Sequence, residues 1–140
     1  MNYVDSFIAV ADDCPVRTSV VPPAKPDTKK SVAVIQYELL ADAPYVYTQE
    51  DVLFRTSARH KGIPPAELEA RGDALREDFF AKPQPCLRAS PLFKKYGWGF
   101  HFDRGGKVAL CPMESSEYTT FAAGQQGGPT VLKAFRSSRA

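Results

Sequence analysis

The chain has 140 residues, 44% of them hydrophobic and 11% aromatic, and a net charge of +2. That composition suits one globular domain burying about two-thirds of its unfolded surface, and it excludes a disordered chain. No apolar run approaches the ~18 residues that span a bilayer, and the N-terminus lacks the basic and apolar regions of a secretory leader.

Three widely spaced cysteines, Cys14, Cys86 and Cys111, read as free thiols in a reducing cytoplasm. The small net charge hides an asymmetry. Residues 1–85 carry 10 Lys and Arg against 13 Asp and Glu, whereas residues 86–140 carry 8 against 3. Solvated acidic helices and a basic tail account for this. An anion-binding surface built from the second part is the sharper alternative. A dedicated nucleic-acid binder would carry a pI above ~9 and a denser basic stripe, and here the pI is 8.4.

In chain order, Tyr3 to Val10 reads as a strand with apolar residues on both faces, ended by Asp12, Asp13 and Pro15. Residues 11–30 read as a long proline-rich loop whose middle is pinned by Val20 and Val21. Ser31 can cap a helix over Val32 to Leu40, although V-A-V-I-Q-Y also suits a buried strand; the unbroken run to Pro44 favours helix. Its apolar face would carry Val32, Ile35, Gln36, Leu39 and Leu40. Thr48-Gln-Glu-Asp51 is a capping-box start for a helix from Gln49 to His60, with Val52, Leu53 and Thr56 inward and Gly62 as the stop. His60, at that helix's C-terminal end, reads as a complement to the helix dipole. Pro64 and Pro65 open a third helix to about Phe80. Its stripe is Leu68, Gly72, Leu75 and Phe79, and Gly72 allows a close helix contact. K-P-Q-P at 82–85 ends it.

Gly97 to Phe102 and Lys107 to Cys111 flank D-R-G-G, a hairpin. A three-residue turn, Arg104 to Gly106, pairs Phe102 with Val108 and Phe100 with Leu110. It thereby gathers Trp98, Phe100, Phe102, Val108 and Leu110 on one face. The second face then holds His101 opposite Ala109, with Gly99, Cys111 and Asp103 beside it. That face is either the open side of an antiparallel sheet or the floor of a cleft. Gly97 and Gly99 leave room for a close approach. Ser115 or Ser116 caps a short helix to about Ala123 with Tyr118 and Phe121 inward. Thr130 to Phe135 reads as a last strand, and Lys133, Arg136 and Arg139 make the end basic. The expected architecture is a single-domain α+β fold, an antiparallel sheet with helices mainly on one face.

Metal and phosphate-loop motifs are absent, so no metal or cofactor is expected. Three chemistries remain. His101 can act as general acid or base beside Glu114, with Arg88, Ser90, Lys94 and Tyr96 binding an anionic small molecule. Cys111 or Cys86 can act as nucleophile with His101 as base and Asp103 or Glu114 as orienter. Trp98, Tyr96 and the Lys94–Lys95 pair can stack and hold single-stranded nucleic acid, but the hairpin register buries Trp98 and argues against that use. The leading expectation is a cytoplasmic binding or interaction protein with an anion-tolerant cleft beside the hairpin. The alternative is a small enzyme using His101. No membrane partner is expected, and oligomeric state has no sequence signal.

C-L-R-A-S-P-L at 86–92 and K-K-Y-G-W-G-F-H-F-D at 94–103, with V-A-V-I-Q-Y-E-L-L and Y-T-Q-E-D-V-L-F upstream and K-A-F-R-S-S-R-A at the end, resemble a family of short bacterial proteins of unknown function. The resemblance covers nearly the whole chain. It implies that the 86–103 stretch is the family's signature, and it implies no activity or ligand.

Overall fold

Backbone pairing at the middle of the molecule starts from β1 (Ser6–Ala9), whose four residues are all buried. The computed structural model describes residues 2–25 and 29–136. The expected strand over Tyr3–Val10 is shorter because Asp5 takes a positive φ of 44° and breaks the extended run. Three further strands complete the sheet: β2 (Trp98–Phe102), β3 (Val108–Pro112) and β4 (Thr130–Lys133). The sheet order is β3-β2-β1-β4. β1 runs antiparallel to β2 but parallel to β4, so the sheet is mixed rather than antiparallel throughout. The parallel pairing follows from the crossover, since α5 (Ser116–Ala122) carries the chain from β3 across the sheet to its far edge.

The hairpin has the three-residue-turn register, with Phe102 opposite Val108 and Phe100 opposite Leu110. Asp103 sets it: its carbonyl accepts from Gly106 N–H and its Oδ1 from the N–H groups of Gly105 and Lys107. Gly106 sits at φ +80°, the left-handed position such a turn requires.

α1 (Val32–Asp42) is a helix despite its β-branched start. Ser31 Oγ accepts from Val34 N–H at its N-terminus, and six of its residues, Gln36 among them, are buried. Burial against α2, β3 and α4 outweighs local propensity here. α2 (Gln49–His60) has the full capping box, Thr48 Oγ1 and the Asp51 carboxylate each accepting from the other's backbone N–H. At its far end Gly62 takes φ +75°, and the N–H groups of Gly62 and Ile63 return to the carbonyls of Arg59 and Ala58. These helices and α4 (Pro91–Lys95) cover one face of the sheet, burying Ile8, Phe93, Phe100, Phe102 and Val108 among them. α5 covers the other, over Phe7, Ala9 and Cys111.

α3 (Pro65–Phe80) has no buried residue, and Arg71 at its middle departs from helical geometry. Leu68, Gly72, Leu75 and Phe79 are its half-buried stripe, but a Cβ at Gly72 would meet nothing within 4 Å, so the expected close helix contact is absent. The Arg76–Asp51 ion pair at 2.8 Å and the Phe54–Phe79 ring contact tie it to α2.

The proline-rich segment is a strap across the open end of the hairpin. Val20 is its anchor, but through the backbone: its N–H donates to Tyr96 O and its carbonyl accepts from Trp98 Nε1, both at 2.8 Å. The side chains of Val20 and Val21 are exposed, and Pro22 is the buried residue instead. Pro26 of this segment and Arg139 of the basic end lie outside the described residues.

Candidate functional site

β2 directs His101 to the sheet face that α5 covers. The imidazole stacks on the Phe121 ring at a centroid distance of 4.0 Å and 11° between planes. Its Nδ1 is hydrogen-bonded to the Tyr45 hydroxyl at 2.8 Å. Tyr45 arrives from the far side of β3. Its N–H donates to Val108 O, and Val108 N–H donates to Tyr47 O, which closes the outer edge of β3. The ring therefore spans β3 at Ala109, the small residue opposite His101. Tyr45 does this with φ +58°, a left-handed conformation that costs a non-glycine residue about 1–3 kcal/mol. Burial holds the His101 pKa below its usual value, outweighing the carboxylates of Asp103 and Asp5, so the ring is neutral at pH 7. Burial also raises the Tyr45 pKa. His101 lies on a covered face, satisfied by an aromatic stack and one hydrogen bond.

The partners expected for it are elsewhere. Glu114 follows β3, beyond the Trp98–Pro112 end of the hairpin, and accepts from Ser19 N–H and Oγ at 2.8 and 2.7 Å. Those bonds hold its pKa down and fasten the strap. Three strand positions separate the Trp98–Pro112 end, beyond which Glu114 lies, from His101, roughly 10 Å at the rise of a strand, so the two do not form an acid–base pair. Asp103 is committed to the turn. Cys111 is buried, with Sγ 3.6 Å from Ser115 Oγ, and burial pushes its thiol pKa up, away from the thiolate a nucleophile needs. Gly97 and Gly99 face protein, not ligand: added Cβ atoms would meet Met113 Sδ at 2.8 Å and Phe7 Cζ and Tyr118 Cε2 at 2.9 Å.

Nor do the four expected ligand-binding residues converge. Arg88 Nε donates to Lys133 O at 2.7 Å and its guanidinium lies over Phe135 at 4.6 Å, so it docks the end of β4. Lys133 itself bridges to Asp12 at 2.7 Å. Tyr96 supplies its carbonyl to the strap and packs on the core. Lys94 is half-buried on α4. Ser90 alone reaches a cavity.

That cavity, about 280 Å³, lies between α1, α2, the end of α3 and the turn at 84–91. The turn exists because prolines 83 and 85 end α3 and Gln84 Nε2 caps it, donating to Phe79 O at 2.8 Å. Two buried glutamines then clamp the turn. Gln49 Oε1 accepts from Leu87 N–H at 2.9 Å, and Gln36 Oε1 accepts from Ser90 Oγ at 2.5 Å. Ser90 Oγ also accepts from Leu92 N–H, capping α4. Apolar walls come from Val32, Leu53, Phe79 and Leu87. The polar lining is Gln36, Thr56, Ser57, His60, Gln84, Cys86 and Ser90. Among the described residues no Asp, Glu, Lys or Arg lines it. Cys86 shares a side-chain hydrogen bond with Tyr3, whose hydroxyl pKa is pushed up to about 12, first by burial and then by that bond.

Thr56 is 5% exposed, and its Oγ1 is the one buried side-chain oxygen or nitrogen without a hydrogen-bond partner among the described residues. A second cavity, about 470 Å³ between α2 and α3, shares Ser57, Phe79 and Gln84 with the first. Phe79 and Gln84 thus form the wall between them.

His60, assigned from sequence to the helix dipole, lines the cavity, and Thr56 and Gln36, assigned to apolar stripes, are with Ser90 its buried polar groups. The available signal was two polar residues on the core faces of adjacent helices. A buried polar group needs a partner, and neither sequence stripe offers one. Among the described residues no three His, Cys, Asp or Glu side chains group closely enough to hold a metal ion, and no helix is long and apolar enough to cross a membrane. No curated protein and no solved structure matches the chain. The pattern of a family of unknown function (DUF6157) matches residues 1–140, and the chain belongs to that family.

Proposed function

We propose that this chain is a small-ligand-binding protein whose site is the cavity between α1, α2 and the 84–91 turn, not the surface beside the hairpin. The observation that carries the reading is Thr56: a hydroxyl buried without a partner costs about 1–3 kcal/mol, and the residue that bears it lines a cavity. A bound molecule supplying the missing hydrogen bond offsets that cost. At about 280 Å³ the space is near the lower end of ligand pockets, about 300 Å³, so the occupant is small. With no carboxylate in the lining, the cavity tolerates an anion as well as a neutral molecule.

We read the setting as the cytoplasm of a bacterium. The compartment is supported by Cys14, Cys86 and Cys111 all being unpaired, and the bacterial origin by the family resemblance alone. The C-L-R-A-S-P-L stretch builds a cavity wall, which supports its reading as a site, whereas Y-G-W-G-F-H-F-D builds sheet and turn. Catalysis by His101 has less behind it, since Phe121 and Tyr45 already occupy the imidazole.

A fragment screen by ligand-observed NMR tests the proposal, run on the wild type and on Ala89→Phe, which fills the cavity from the turn. Wild-type hits that disappear in the variant are expected. Hits retained in Ala89→Phe, or an absence of hits, would overturn the assignment.

A further inference from the structure

The cavity's hydrogen bonding has a direction, and on the small-ligand reading above it specifies the occupant's chemistry. Ser90 Oγ accepts from Leu92 N–H, so its single hydrogen is free to donate, and it goes to Gln36. The Gln36 atom facing Ser90 is the amide oxygen. Its Nε2, with two hydrogens, is the end left over. Among the described residues no hydrogen bond joins that nitrogen to a protein group, and unlike Thr56 Oγ1 it is not sealed off from solvent. Thr56, 5% exposed on the facing helix, adds a hydroxyl hydrogen with no acceptor. Both residues line the same cavity, in which no Asp, Glu, Lys or Arg among the described residues takes part.

From this we infer that the cavity selects a compact, largely apolar molecule bearing a carbonyl-type oxygen, an amide or a carboxylate, which accepts from Gln36 Nε2 and Thr56 Oγ1. The apolar body lies against Val32, Leu53, Phe79 and Leu87. A hydrocarbon of the same shape leaves both donors unpaired, and such a mismatch is where polar sites discriminate most. The two oxygen sources differ in charge, and the uncharged donors hold either one.

The test compares benzamide, benzoate and ethylbenzene by NMR titration of the wild type, Gln36→Met and Thr56→Val. The two oxygen-bearing probes are expected to bind the wild type at least tenfold more tightly than ethylbenzene. That preference should fall severalfold in each variant. Benzamide above benzoate identifies a neutral carbonyl ligand, and the reverse identifies a carboxylate; either order supports the inference. Thr56→Val keeps the shape and removes an orphaned group, so it reports on binding even if Gln36→Met, which strands the Ser90 hydroxyl, folds poorly. Ethylbenzene binding as tightly as the other two overturns the acceptor inference while leaving the cavity as the site. Failure of all three probes to bind overturns both.

Discussion

His101 and Thr56 are both polar side chains set into apolar surroundings, and the molecule treats them in opposite ways. His101 is half-buried and partnered, with Phe121 stacked on its face and Tyr45 hydrogen-bonded at Nδ1. Thr56 is more deeply buried, and its hydroxyl has no hydrogen-bond partner among the described residues. A satisfied group in a covered position is part of the architecture, whereas an unsatisfied one beside empty space marks where something else completes the structure. The comparison moves the candidate site from the hairpin to the helical side.

The two regions should respond differently to mutation. Phe100 is fully buried under Phe93, ring centroids 4.3 Å apart, and Phe100→Ala should cost about 3–5 kcal/mol in chemical denaturation. A loss below about 1 kcal/mol would break the reading of the hairpin's apolar face as core. Ser90→Ala removes the hydroxyl that joins Gln36 to the α4 cap, and should cost about 1–3 kcal/mol by the same measurement. Thr56→Val should do the reverse of an ordinary buried substitution, leaving unliganded stability unchanged or raising it by up to about 1 kcal/mol. A clear loss would mean that the hydroxyl has a partner after all.

Smaller effects distinguish His101. Burial depresses its folded pKa, so the folded state binds the proton less well than the unfolded chain. Its contribution is present above the unfolded value near 6.5 and is lost as pH falls from about 7 toward the lowered folded value. Thermal melts should show wild-type stability dropping across that window and His101→Gln dropping less; equal slopes would remove His101 as the cause. The smallest effect belongs to the exposed Glu114. Glu114→Gln should speed proteolysis within the strap at 14–21 and leave the melting temperature of the body in place.

How far the sequence reached depends on what each element rests on. The Thr48 capping box, the Gly62 stop and the Asp103 turn are local, so they were legible residue by residue. The hairpin register was legible because only one alignment puts five large apolar residues on one face. The parallel β1–β4 pairing joins segments more than a hundred residues apart, and nothing local encodes its direction. The expected site residues scatter for a related reason. Arg88, Lys94, Tyr96 and Glu114 lie near His101 in sequence, but the sheet and strap send each to a different duty. Gln36, Thr56 and Cys86 come from three segments that meet only after α1, α2 and the 84–91 turn pack. Their one sequence-level trace was a Gln and a Thr on faces otherwise reserved for apolar residues.

The central claim is that the cavity, and not the face carrying His101, receives a ligand. The most direct measurement is amide and side-chain chemical-shift mapping of isotope-labelled protein titrated with benzamide. The account predicts perturbations at the Gln36 side-chain amide, along 53–60 of α2 and through 84–91. Perturbations confined to Tyr45, His101 and Phe121, or to Lys94 and Tyr96, would contradict it.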